Sequence, residues 1–142
     1  MTLRLNPYII LDGQTKEAIA FYEETLGAKT VMVQTFGDMP ANPEFRIPEA
    51  AKDRIAHATL KVGETDLMMN DTFPGQPLQK GDHVTICLTT NDPTTSRSIF
   101  DALSAGGEVQ MPFQVTFWTT GYGIVKDKFG VTFQITTDSK QE

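Results

Sequence analysis

One order of secondary-structure signals occurs twice in this chain, and that repeat constrains the fold more than any other feature. In the first half, Tyr8-Ile9-Ile10-Leu11 reads as a strand closed by Asp12-Gly13. Thr15 offers an N-cap, and Ala18, Ile19, Tyr22 and Leu26 share one face at helical spacing. Gly27 suits a C-terminal stop. β-rich runs follow at 30–36, 55–62 and 66–70, with Gly63-Glu64-Thr65 as a turn between the last two. In the second half, 83–90 reads as a strand, Asp92 as an N-cap and Pro93 as a first helical residue. Ser96, Ile99, Phe100 and Leu103 form the inner face of the helix, and Gly106-Gly107 ends it. Strands are expected at 109–117, 123–127 and 131–136. The helix ends carry the duplication best: Phe21-Tyr22 then Leu26-Gly27, against Ile99-Phe100 then Ala105-Gly106.

Each half is too small to bury a good core alone. The expectation is therefore one α+β domain over 1–142. Modules 3–70 and 83–136 pair through a loop at 71–82 that contains Pro74, Gly75 and Pro77. Each module is βαβββ, with a curved, mostly antiparallel sheet and its helix outside. A hydrophobic share of 39% with 11 glycines in 142 residues is that of an ordinary globular domain and excludes intrinsic disorder. No apolar run reaches the length of a membrane helix, and Met1-Thr2-Leu3-Arg4 does not begin a signal peptide. A cytoplasmic protein is expected. The single Cys87 excludes an intramolecular disulfide and a multi-cysteine metal site. A net charge of -6 with no basic stretch argues against nucleic acid as a partner.

Several segments together resemble one family. They are Asn6-Pro7-Tyr8-Ile9 with Gly13, Glu17-Ala18-Ile19-Ala20-Phe21-Tyr22, Ile55-Ala56-His57-Ala58, Phe117-Trp118, and Asp127-Lys128-Phe129-Gly130-Val131. In this order and spacing the chain resembles the vicinal oxygen chelate superfamily, which includes glyoxalase I, bleomycin and fosfomycin resistance proteins and extradiol dioxygenases. Within it, the chain is similar to the PhnB-like branch, often labelled a 3-demethylubiquinone 3-methyltransferase domain. That label finds no support in the residues: no glycine-rich strand-to-helix turn is present to cradle a nucleotide or S-adenosylmethionine. The resemblance implies a glyoxalase-like fold, a homodimer and a cavity within cupped sheets.

The superfamily's enzymes hold a divalent metal with His, Glu or Gln from the first and last strand of each module. Carried onto this chain, those positions fall on Tyr8, Met68, Thr85 and Gln134. A phenol, a thioether, a hydroxyl and an amide make a poor set for a hard or borderline cation. No metal and no cofactor are therefore expected. His83 would enter the set if the register differed by two residues, and His57 and Asp66 lie on neighbouring strands.

Strand alternation names the residues facing the cavity. Ile9 and Leu11 face a helix, leaving Asn6, Tyr8 and Ile10 inward. Val84, Ile86 and Leu88 face a helix, leaving His83, Thr85, Cys87 and Thr89 inward. Val131, Phe133 and Ile135 face a helix, leaving Thr132, Gln134 and Thr136 inward. His57, flanked by Ala56, Ala58 and Leu60, falls on the cavity side, where it is either a catalytic base candidate or a satisfied core histidine. Trp118 and Tyr122 would line the mouth and stack on a flat or apolar ligand. Cys87 has no sequence neighbour that would activate it and reads as structural. The loop 37–54, with Phe45, Arg46 and Ile47 between prolines, is long for a compact domain. Arg46 would reach either an anionic ligand or a subunit interface, and Phe117 and Trp118 are further candidates for that interface.

The expected ligand site is thus Tyr8, His57, Met68, Thr85, Trp118, Tyr122 and Gln134, occupied by a small molecule. Whether a reaction occurs is left open. The alternative is a metal-dependent lyase, isomerase or dioxygenase of the same superfamily.

Overall fold

The structure, a computed structural model, describes residues 3–40, 43–44 and 46–138. Phe45 lies outside the described residues. The chain divides into two compact units, Met1–Gln79 and Lys80–Glu142.

The first unit runs β1 (Tyr8–Leu11), α1 (Thr15–Leu26), β2 (Lys29–Thr35), β3 (Ile55–Val62) and β4 (Thr65–Asp71). Its sheet has the order β1-β4-β3-β2, with β1 and β4 parallel and the other pairings antiparallel. α1 buries Ala18, Ile19 and Tyr22, and the sheet presents Ile9, Leu11, Ile55, Ala58, Leu60, Leu67 and Met69 to the same core. Ile55 and Ala58 are three residues apart, yet both are buried. The β2–β3 pairing skips Ala56 between the pairs Gln34 with His57 and Thr35 with Ile55, and this bulge reverses the alternation. Gly27 ends α1 in the left-handed conformation at φ 66°, as expected.

The second unit repeats the plan with β5 (Ile86–Thr90), α2 (Pro93–Ser104), β6 (Glu108–Gln114), β7 (Tyr122–Lys126) and β8 (Thr132–Thr137). The sheet order is β5-β8-β7-β6, again with one parallel pair, β5 and β8. Asp92 caps α2 by accepting from Thr94 N, and Pro93 follows it. Gly123 lies under α2, where a Cβ would stand 2.7 Å from the Phe100 ring, so no larger residue fits without displacing that ring.

Three local expectations are corrected. Thr15 is the first helical residue and not the cap. The cap position is Gln14, whose side chain makes no capping bond. Asp71, at the end of β4, does that work from outside the helix. Its buried carboxylate accepts from Gly13 N, Thr15 N and Thr15 Oγ1 at one oxygen and from Ile55 N at the other. The strand expected at 83–90 begins only at Ile86, and Val84 is exposed instead of facing a helix. The strand expected at 109–117 ends at Gln114, leaving Phe117 97% exposed in a loop. Inside the long 37–54 segment a short 3-10 turn stands at Glu49–Ala51. Another, at Phe36–Asp38, is closed by reciprocal bonds between Thr35 and Asp38.

Candidate functional site

Each sheet packs one face on its helix and turns the other outward. In the first unit, registered pairs set Tyr8, Met68, Thr59 and Met32 in a row across all four strands of the outward face. His57 pairs with Gln34 one step along. Tyr8 Oη lies 3.1 Å from His57 Nδ1, and His57 Nε2 lies 3.2 Å from Thr59 Oγ1. The imidazole is thus held at both nitrogens by hydroxyls. A hydroxyl both donates and accepts, so either tautomer and the protonated ring find partners there. Burial pushes the Tyr8 phenol above its ordinary value. Sequence reasoning placed Tyr8, His57 and Met68 on this face. It did not name Thr59 or Gln34, although Thr59 follows from His57 by simple alternation.

In the second unit the outward face carries Gln134, paired with Cys87 on one side and Ile124 on the other. Tyr122 Oη donates to Gln134 Oε1 at 2.6 Å, and Gln134 Nε2 donates to Thr85 Oγ1 at 3.0 Å. Both ends of the amide are therefore fixed. Trp118 meets the Tyr122 ring at 5.3 Å between centroids and the Phe117 ring at 4.9 Å, both edge to face. This ladder stands on a loop anchored by Thr119. Its buried hydroxyl donates to Thr137 O and accepts from Gly121 N, while Thr116 N donates to Thr119 O. Trp118 stays half exposed.

The seven expected residues fall into two sets. Tyr8, His57 and Met68 share one sheet, and Thr85, Trp118, Tyr122 and Gln134 cluster on the other unit. His83 is exposed and precedes β5, whose register pairs Cys87 with Gln134. Arg46 is exposed. Cys87 is exposed beside Thr89, at 3.9 Å between Sγ and Oγ1.

The four positions the resemblance assigns to a metal do not fit a divalent cation. They offer a phenol, a thioether, a hydroxyl and an amide, with no carboxylate or imidazole among them. Among the described residues no three His, Cys, Asp or Glu side chains gather as ligands.

Two four-stranded mixed sheets, each with one helix, define a duplicated βαβββ protein of the α+β glyoxalase-like class. The chain belongs to the Glyoxalase/Bleomycin resistance protein/Dioxygenase superfamily, whose sequence profile matches residues 4–135. It is similar to Protein YjdN of Escherichia coli, at 35% identity over 96% of this chain and 97% of that protein. Protein PA1353 from Pseudomonas aeruginosa has a crystal structure that matches with TM-score 0.86 and 34% identity, covering 98% of this chain and 100% of that one. The PhnB protein from Bacillus cereus shares the fold at TM-score 0.76 and 18% identity, over 96% of this chain and 100% of that one.

Proposed function

We propose that this protein binds a small, flat, largely apolar molecule on the outward sheet faces, without a catalytic metal. The two modules act as one domain of a cytoplasmic homodimer. The observation that carries the reading is the fixed Thr85–Gln134–Tyr122 chain beneath a half-exposed tryptophan. Aromatic surface supplies contact area at small entropic cost, and a locked amide supplies orientation. Tyr8, Met68 and Met32 offer similarly soft surface on the first unit. Sequestration of this kind matches the resistance function in the superfamily's own name.

Trp118 is the only tryptophan, so its fluorescence reports on the site directly. Titration with quinoline, and separately with isoquinoline, should quench it saturably. The Gln134→Ala variant should weaken the response, and Trp118→Phe should abolish the signal but not binding seen by calorimetry. No saturable quenching by either probe, with no calorimetric heat, would overturn the reading for flat aromatic ligands.

The second reading is a metal-dependent lyase, isomerase or dioxygenase in which His57 serves as general base. It is favoured by an imidazole poised between two hydroxyls. Metal analysis of protein purified without a polyhistidine tag separates the two. A stoichiometric transition metal would replace the first reading with the second.

A further inference from the structure

The first unit carries a concavity of about 530 Å³ away from its outward sheet face. It sits just past the carboxyl ends of the parallel neighbours β1 and β4, where Asp12 follows Leu11 and Thr72 follows Asp71. Arg54 and Asp12 supply its charges, and Pro48, Pro74 and Pro77 supply stiff apolar walls.

Arg54 is held still. Its Nη2 donates to Thr72 O at 3.0 Å, to Thr72 Oγ1 at 2.8 Å and to Asp12 Oδ1 at 3.1 Å. All three bonds leave from one nitrogen. Nε is buried with no partner, and Nη1 lies against Gly13, where a Cβ would stand 3.0 Å away. The Thr72 bonds anchor the guanidinium whether or not Asp12 stays in place. Asp12 is more than half exposed, so its pairing is the weak kind that a ligand can rearrange. A simple anion meets Asp12, and a simple cation meets Arg54. A molecule carrying both charges satisfies both groups.

We propose that this cleft binds a small zwitterion, an α-amino acid with an apolar side chain. Its carboxylate pairs with Arg54, its ammonium with Asp12, and its side chain packs on the proline walls. The preformed walls and the anchored guanidinium keep the ordering cost low.

The test titrates L-leucine into the full chain and follows backbone amide NMR signals of residues 48–54 and 74–77. 4-Methylpentanoate, which lacks the ammonium, and isoamylamine, which lacks the carboxylate, serve as single-charge probes. Leucine should bind roughly two- to fivefold tighter than either, as expected for one added, partly exposed ion pair. D12N should reduce leucine to the level of 4-methylpentanoate, and R54Q to that of isoamylamine. Melting temperatures are read alongside. If R54Q fails to fold, the D12N comparison still decides, because Arg54 keeps its Thr72 anchors in that variant. Leucine binding no tighter than its fragments, unchanged affinity in D12N, or shifts confined to the outward sheet face would each overturn the proposal.

Discussion

Asp71 offers the sharpest test of how the first unit holds together. Its side chain is 1% exposed, so water cannot stand in for it. Oδ1 accepts from Gly13 N at 2.8 Å, Thr15 N at 3.1 Å and Thr15 Oγ1 at 2.8 Å, and Oδ2 accepts from Ile55 N at 2.9 Å. One carboxylate therefore ties the β1–α1 turn, the first turn of α1 and the start of β3 to the end of β4. A hydrogen bond to a charged group contributes about 1.5–3 kcal/mol. Four bonds on one group do not add independently, and removing the carboxylate also removes its desolvation cost. The expected net loss for Asp71→Ala is about 3–5 kcal/mol, a large part of a domain's total of about 5–15 kcal/mol. Asp71→Asn separates the two oxygens. Its remaining oxygen can keep the three Oδ1 bonds, while its NH2 meets the Ile55 N–H donor to donor. That variant should lose about 1–3 kcal/mol. Urea unfolding followed by circular dichroism measures both, with the denaturant slope as the check that the unfolded ensemble is unchanged. If Asp71→Ala cost less than about 1 kcal/mol at constant slope, or if Asn cost as much as Ala, the hub would not be holding these segments as described.

Gln134→Ala removes the acceptor of Tyr122 and the donor to Thr85 at a partly exposed site. It should cost only about 0.5–1.5 kcal/mol of stability and about 1–3 kcal/mol of probe affinity; a large stability loss with unchanged affinity would make Gln134 a core residue. Asp66 is held below its ordinary value of 3.8 by the hydrogen bond from Lys61, the Lys61 charge and Arg4, with desolvation opposing. A lowered carboxylate value stabilises above the ordinary value and loses that contribution as pH falls through the lowered one. Asp66→Asn should therefore have a flatter acid limb than wild type in a melting-temperature profile below about pH 4, and parallel curves there would count against the pairing. Light scattering at micromolar concentration should give twice the chain mass, since apolar β2 residues Val31, Met32 and Val33 and the Phe117 ring lie open. A stable monomer would refute the dimer.

The duplicated element order was legible because helix and strand periodicities differ sharply, and because Gly27, Asp92 and Pro93 punctuate the helices in the usual way. Sheet faces were legible wherever alternation ran unbroken: Ile9 and Leu11 in β1, and Phe133 and Ile135 in β8, are buried as read. The bulge at Ala56 was invisible, because one extra residue leaves no compositional mark. Asp71 was missed for a related reason. Its partners lie 16 to 58 residues away in sequence, and an aspartate after a strand reads locally as the start of a loop. On the site, alternation put Tyr8 and His57 on one face, but the bonds joining Tyr8 to His57 and Tyr122 to Gln134 depend on register and rotamer, which spacing does not encode.

The strand order β1-β4-β3-β2 also has a consequence for synthesis on the ribosome. β1 emerges first, yet β4 is its one neighbour in the sheet, and β4 emerges last within its unit. At about 5–20 residues per second the opening strand waits several seconds for its partner. Throughout that interval the backbone of Tyr8–Leu11 has no ladder to join. The same holds for Ile86–Thr90, which waits for Thr132–Thr137. Each unit is thus sealed by its final strand, and a nascent chain paused just short of β4 or β8 displays an unpaired apolar segment, the kind of edge that invites aggregation.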